Sequence, residues 1–270
     1  MQTVRWIPVA GEDPVVFGLP GYILQDIRGI EGPPMAVQTV RAPHQHGAIM
    51  IEALAEPRDI MLEVRVFGTS ISDLWQRRRR LVRAFNGTRG MGRLQLNMED
   101  GTTYEIHAMP DGAPEFRGVG ESPMTQESLI PLLAPNPFFF DSDASSTTLS
   151  PGNSTTLTNG GDVDAPVQLI FHGPAENPSL RRETPGDADD ARLSLNHFIG
   201  DDERIEVSTG PNVPSVTKIA ADGTRTDGLQ FLSRRSTFWQ LLVGGNPVSY
   251  STDSGFGQVE VRYRRWYAGV

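Results

Sequence analysis

The side chains of this sequence that could do chemistry fall into three groups: paired histidines, a carboxylate-rich stretch and an arginine run. His44-Gln45-His46 sets two imidazoles on one face of an extended strand, and a third ligand would complete a zinc site. Pro43 and Gly47 bracket the pair in a loop, and no Cys or acidic motif accompanies it, so no metal is expected there. Eight carboxylates lie between Glu183 and Glu206, with Asp187, Asp189 and Asp190 among them. Their spacing lacks the oxygen ligands and central glycine of a calcium loop, and solubility accounts for them. Arg77 to Arg80, with Arg83, could cradle a phosphate. Four consecutive helical residues point around most of a cylinder, however, which fits a solvated face with Arg78 snorkelling. His107 falls on the wet face of its strand and His172 precedes a Gly-Pro turn, positions that suit solvated or backbone-bonded rings. No phosphate loop, nucleophile elbow or His-Glu-x-x-His motif is present. The expected catalytic, cofactor-binding and metal residues are therefore none, and the chain is not expected to be an enzyme.

Composition narrows the classes further. At 270 residues, with 21% charged and 38% hydrophobic, the chain can bury two ordinary cores. No apolar run approaches the roughly 20 residues of a membrane span, and the first residues lack a secretory pattern, so neither membrane nor export is expected. Zero cysteines exclude disulfides and thiolate metal sites. The net charge of −9 is shared: residues 1–140 hold 13 Arg against 16 Asp plus Glu, and residues 141–270 hold 11 Arg plus Lys against 17. Nucleic-acid affinity rests on clustered basic groups, so no tight binding of DNA or RNA is expected in either half.

Short strands fill the first half. Thr3 to Phe17 and Tyr22 to Ile30 read as extended, stopped by Pro14, Pro20 and Gly32-Pro33-Pro34. Ile60, Leu62, Val64 and Val66 alternate with Met61, Glu63 and Arg65, a half-buried strand expected to form a hairpin with Ile49 to Leu54 across Glu56 to Asp59. The period then becomes helical: Ile71, Leu74, Trp75, Leu81, Val82 and Phe85 predict one helix, Ser72 to about Phe85, capped by Ser72 and ended by Asn86-Gly87. Leu74, Trp75, Leu81 and Phe85 are expected to face the sheet. Asp100-Gly101 joins Leu94, Leu96 and Met98 to Tyr104, Ile106 and Ala108 in a hairpin. Pro131 marks Leu129 to Leu133 as an edge strand or a bulge. The segment Thr125 to Asp141, TQESLIPLLAPNPFFFD, then carries Pro135, Pro137 and three phenylalanines, expected to bury into the seam between two bodies.

Beyond Asp141 turn residues separate ten short apolar runs with no helical period, which predicts a β-sandwich. The runs include Val167 to Phe171, Arg204 to Ser208, Leu229 to Leu232, Thr237 to Val243 and Val259 to Tyr267. Its expected core is Leu169, Phe171, Leu193, Leu195, Ile205, Val207, Phe238, Leu242, Val259, Val261 and Tyr263, with Trp239 also inside.

Taken in order, these features resemble the distal tail protein family of siphophages. The parts are DIRGIEGPP, EPRDIMLEVRVFG leading into the helix, AFNG before GRLQLNMEDGTTYEIHAMP, APNPFFFD, FHGPAENPSL, FIGDDERIEVSTG, FWQLLVGGNPVSY and VEVRYRRWYAGV. The resemblance implies a mainly β chain with one helix. Residues 1–140 would be a ring-forming belt domain of β-sheets plus one α-helix, and residues 141–270 a galectin-like β-sandwich. It implies a structural virion protein of the tail tip, made in the host bacterial cytoplasm. Six copies would form a homohexamer joining the tail tube protein to the tail-tip hub or a tail-associated protein, with DNA passing through. The alternatives are a carbohydrate-binding accessory of a virion or cell surface and, further off, a glycoside hydrolase. The galectin likeness stops short of sugar chemistry: the His, Asn and Arg residues and stacking Trp of galectins have no counterpart here.

Overall fold

Alternating apolar side chains and turn-forming glycines and prolines make this a mainly β protein with one α-helix among the described residues. A computed structural model describes residues 3–9, 12–18, 20–44, 46–117, 124–183, 191–210 and 214–270. Two units result, one comprising Met1–Ser142 with Tyr267–Val270, the other Asp143–Trp266.

The first unit contains β1 (Thr3–Ile7), β2 (Val15–Phe17), β3 (Tyr22–Arg28), β4 (Met35–Val40), β5 (Ile49–Ala55), β6 (Arg58–Phe67), α1 (Ile71–Ala84), β7 (Gly92–Asn97), β8 (Thr103–Pro110), β9 (Glu115–Arg117), β10 (Thr125–Ala134) and β11 (Phe139–Asp141). Its main sheet runs β2-β1-β7-β8-β10-β6-β3, with β9 on β10 and β11 on β8. The Asp100-Gly101 hairpin forms, with Leu96 opposite Tyr104 and Leu94 opposite Ile106, but Met98 falls beyond the paired residues and Gly92 takes the place opposite Ala108; Gly101 is in the left-handed region at φ +86°. The expected hairpin between Ile49–Leu54 and β6 does not form. Both edges of β6 are taken by β10 and β3, and β5 pairs instead with β4. Nor is β10 an edge strand. Pro131 lies opposite Met61, and its carbonyl accepts from the Asp111 N–H at 3.0 Å on the other side. The missing N–H therefore points into the gap between β9, which pairs with residues 127–129, and β8, which pairs with 132 and 133.

The helix is capped two residues earlier than its sequence pattern indicates. Ser70, not Ser72, is the cap: its Oγ accepts from the Asp73 N–H at 3.1 Å, while Asp73 Oδ2 accepts from the Thr69 N–H at 2.8 Å. That N–H, followed by Arg77, holds the Asp73 carboxyl below its usual range. Leu74, Leu81, Ala84 and Phe85 are buried against the sheet, and Phe85 stacks on Trp6 at 4.9 Å. Two side chains from the sheet tie down helix carbonyls: Trp6 Nε1 donates to Ala84 at 2.9 Å and the Tyr22 hydroxyl to Arg77 at 3.0 Å. Trp75 is 52% exposed, contrary to the expectation from its spacing, because the buried stripe runs through positions 74, 81 and 84 and leaves 71, 75 and 82 on the far side.

Phe139 and Phe140 are buried, and Phe139 belongs to the core of the first unit. Over it lies Arg58, 1% exposed, its guanidinium 5.0 Å from the ring centre. Arg58 donates to the carbonyls of Gly29 at 3.0 Å, Glu31 at 2.5 Å and Ala268. Gly29 is needed here, since its φ is +81° and a Cβ would stand 2.0 Å from the Asp59 carbonyl oxygen. The last four residues are held to this unit at further points: Val270 N–H donates to Ile30, and the Tyr267 hydroxyl donates to Asp141 Oδ1 at 3.0 Å.

The second unit contains β12 (Ser145–Leu149), β13 (Ser154–Asn159), β14 (Val167–His172), β15 (Ala175–Glu176), β16 (Ser179–Arg182), β17 (Ala191–Ser194), β18 (Phe198–Ile199), β19 (Arg204–Ser208), β20 (Ser215–Ile219), β21 (Arg225–Asp227), β22 (Gly244–Ser251), β23 (Ser254–Gly255) and β24 (Val259–Tyr263). A six-stranded sheet, β12-β24-β14-β19-β20-β21, and a four-stranded one, β13-β22-β16-β17, share one core of Leu, Val, Ile, Phe171 and Tyr250. Two expected strands are absent. Leu229–Phe231 is a 3-10 turn, and Thr237 to Val243 makes only the bridge between Leu241 and Ala165. The buried members of that segment are Trp239 and Leu241, so Phe238 and Leu242, expected in the core, are partly exposed on the opposite phase.

His197 offers a test of this core's rim. Its ring stacks on Phe231 at 3.9 Å, and Nε2 lies 3.3 Å from Lys218 Nζ, which pairs with Glu203 at 3.1 Å. Burial first, then the Lys218 charge, lowers its pKa, with Glu203 opposing. A lowered value means the folded state disfavours the proton. His197 thus costs nothing above the ordinary imidazole value of about 6.5 and destabilises as pH falls from there through its folded value. Urea titrations at pH 7.5 and 5.5 should show the parent losing stability relative to His197→Gln; equal slopes would refute the arrangement.

Candidate assembly surface

Strands β4 and β5 pair only with each other among the described strands. Their register runs from Met35 opposite Ala55 to Val40 opposite Ile49, shifted by a bulge between Gln38 and Thr39. A two-stranded hairpin alone is marginal in water, and this one carries its apolar side chains outward. Ile49 is 64% exposed, Met50 64% and Ile51 61%; Met35, Val37, Val40 and Leu54 are also exposed. Because consecutive residues of a strand point to opposite faces, exposure of Ile49, Met50 and Ile51 means that both faces of the arm are apolar. Each such side chain would gain about 1–2 kcal/mol on full burial. Neither edge is paired with another strand among the described residues, and such edges invite pairing. The arm is thus an element whose own chain does not complete it.

The paired histidines belong to this arm. His44 sits in the turn between β4 and β5 with φ +63°, and Gln45 lies outside the described residues. No group of three His, Cys, Asp or Glu side chains suited to a metal occurs among the described residues. Asp187, Asp189 and Asp190 also lie outside them.

The arginine run is largely engaged within the unit. Arg77 Nε pairs with Asp73 at 3.0 Å, and its Nη1 donates to the Pro20 carbonyl at 3.1 Å. Gly21 leaves room for that reach, since a Cβ there would stand 1.5 Å from Arg77 Nη1. Arg78 lies between the rings of Trp75 and Phe116, 4.3 Å from each centre. Arg80 donates to the Pro14 carbonyl at 3.1 Å, while Arg83 and Arg89 reach Glu12 at 3.3 and 2.5 Å. These contacts tie the helix to the loops around β2, and they explain the run better than a phosphate site does. His107 lies 5.0 Å from the Phe140 ring on an exposed face of β8.

Trp75 has a modest structural part in this arrangement. Trp75→Ala removes one face of the Arg78 sandwich and half-exposed area, so a loss of about 1 kcal/mol is expected. A melting shift matching a core truncation of about 3–5 kcal/mol would contradict the exposed placement.

Sequence reasoning missed the arm because Met35 to Val40 has no clean alternation. The available signal was two apolar runs of similar length on either side of the Pro43–Gly47 loop, which is itself a hairpin pattern.

No protein-family model matches the sequence, and no curated protein matches it. Solved structures do. The chain is similar to the SPP1 Dit protein, described as a paradigm of hub adsorption apparatus in Gram-positive infecting phages, with a TM-score of 0.72 and 13% identity over 98% of this chain and 99% of that one. It is similar to a chain of the phage P2 baseplate in its activated conformation with Ca, with a TM-score of 0.61 and 9% identity over 100% and 99%. The phage p2 baseplate with Sr gives 0.61 and 8% over 100% of both chains. At these identities the likeness is one of fold, and it runs the length of the chain.

Proposed function

We propose that this chain is a structural component of a phage tail tip, a distal tail protein of the virion that is not an enzyme. Six copies form a homohexameric ring between the tail tube protein and the tail-tip hub or a tail-associated protein, and DNA passes through the ring. Residues 1–140 act as the ring-forming belt, and residues 141–270 form the outward β-sandwich. The protein is made in the host bacterial cytoplasm before joining the virion. One observation carries the reading: an arm, β4–β5, that is apolar on both faces and unpaired at both edges, as a segment meant to lie against a second copy would be. The fold shared with phage hub and baseplate chains supports it. Passage requires that DNA not be held. A net charge of −9 and arginines occupied by Asp73, Glu12 and backbone carbonyls favour that outcome.

Native mass spectrometry of the purified chain, alone and with a tube protein, tests this directly. A hexamer in either sample is expected. A chain that stays monomeric in both would overturn the ring.

A further inference from the structure

The second unit ends in a small sheet that the ring does not explain. Strands β18, β15 and β23 lie side by side, Phe198 opposite Glu176 and Glu176 opposite Ser254, with Ile199, Ala175 and Gly255 in the next row. Ile199 and Ala175 are fully buried, so the row of Phe198, Glu176 and Ser254 faces outward. One step further the Pro174 carbonyl accepts from the N–H groups of both Phe256, at 3.1 Å, and Gly257, at 2.8 Å, so with Gly255 at φ +94° the ladder ends there and Phe256 follows at its exposed end. Phe256 is 77% exposed, the highest value of any large hydrophobic among the described residues, and Phe198 is 56% exposed. Between these two corners lie Pro174 and Glu176.

The polar groups of this face are already oriented. Glu176 Oε2 accepts from the Ser254 hydroxyl at 2.8 Å, and Asp253 Oδ2 accepts from Asn177 Nδ2 at 2.9 Å. Their remaining lone pairs are acceptors for incoming donors. Asp201 and Asp202 follow on the neighbouring turn and are exposed. The nearby cation, Lys218, is engaged by Glu203 and His197. Such a face disfavours phosphates and other anions. It suits an uncharged molecule with apolar C–H surfaces and many O–H donors. Two aromatic side chains offer at most about 500 Å² together, well below the roughly 800 Å² per partner of a stable protein interface, which favours a small ligand over a protein.

We propose that the β18-β15-β23 face binds a neutral saccharide, with Phe198 and Phe256 as stacking platforms and Glu176 and Asp253 as acceptors of its hydroxyl groups. The site is independent of ring formation.

The full-length chain should be passed over immobilised chito-oligosaccharides, glucans and rhamnose-containing oligosaccharides, with heparin as the anionic comparison. Retention on at least one neutral saccharide is expected. Phe256→Ala should weaken it about tenfold, roughly 1.4 kcal/mol. Phe198→Ala combined with Phe256→Ala should abolish it, and Phe256→Trp should preserve it. Both rings are exposed, so melting and oligomeric state should match the parent, which separates this result from any failure of the ring. Retention by none of the neutral saccharides, retention on heparin alone, or retention untouched by the double change would overturn the proposal.

Discussion

Arg58→Ala lowers the stability of the first unit by roughly 3–5 kcal/mol, the cost expected when a buried cation with three carbonyl acceptors is removed. Among the described residues no carboxylate lies within hydrogen-bond reach of the side chain. Instead its charge is met by the carbonyls of Gly29, Glu31 and Ala268 and by the face of Phe139. Burial lowers its pKa, yet a guanidinium remains charged at any pH where the fold exists. Without it, three carbonyls face a void and the Tyr267–Val270 segment loses one of its ties. Arg58→Met restores the packing without the donors, so the gap between Met and Ala measures the cavity and the residual loss measures the hydrogen bonds. Urea unfolding followed by tryptophan fluorescence should show the transition of the first unit moving while that of the second unit stays. An Ala variant within about 1 kcal/mol of the parent would mean the cage is dispensable. The same contacts imply that a chain cut at Asp141 lacks part of its first unit. Assembly is therefore better tested by substitution than by truncation.

Ile49→Asp with Ile51→Asp should convert the assembled ring to monomer without unfolding it. These side chains are already in water in the single chain, so their replacement should change its melting by no more than about 0.5 kcal/mol. In an assembly they are buried, and each carboxylate then costs several kcal/mol to desolvate, repeated at every copy of a symmetric ring. Sedimentation and native mass spectrometry read the outcome, with and without tube protein. If the double variant forms the same oligomer as the parent, the arm is not the contact and the proposed ring must be built on another surface.

The sequence by itself determined the mainly β class, the one helix, the strand at Ile60 to Val66 and the Asp100-Gly101 hairpin. Each rests on a local rule: the period of the apolar residues, or the φ that a turn demands. Partner choice lay beyond it. Whether β6 pairs with β5 or with β3 and β10 depends on which edges other strands occupy, a global competition that no window of sequence records. The phase of the Thr237 to Val243 segment was likewise set by the Ala165 bridge, which turned Trp239 and Leu241 inward and Phe238 outward. Trp75 shows the same limit on a helix with two apolar stripes, only one of which can meet the sheet. The surfaces with the most functional weight were the least legible. Phe198, Phe256 and the β4–β5 arm look like ordinary strand residues, and only the tertiary structure, by leaving them without a covering layer, decides that they face outward.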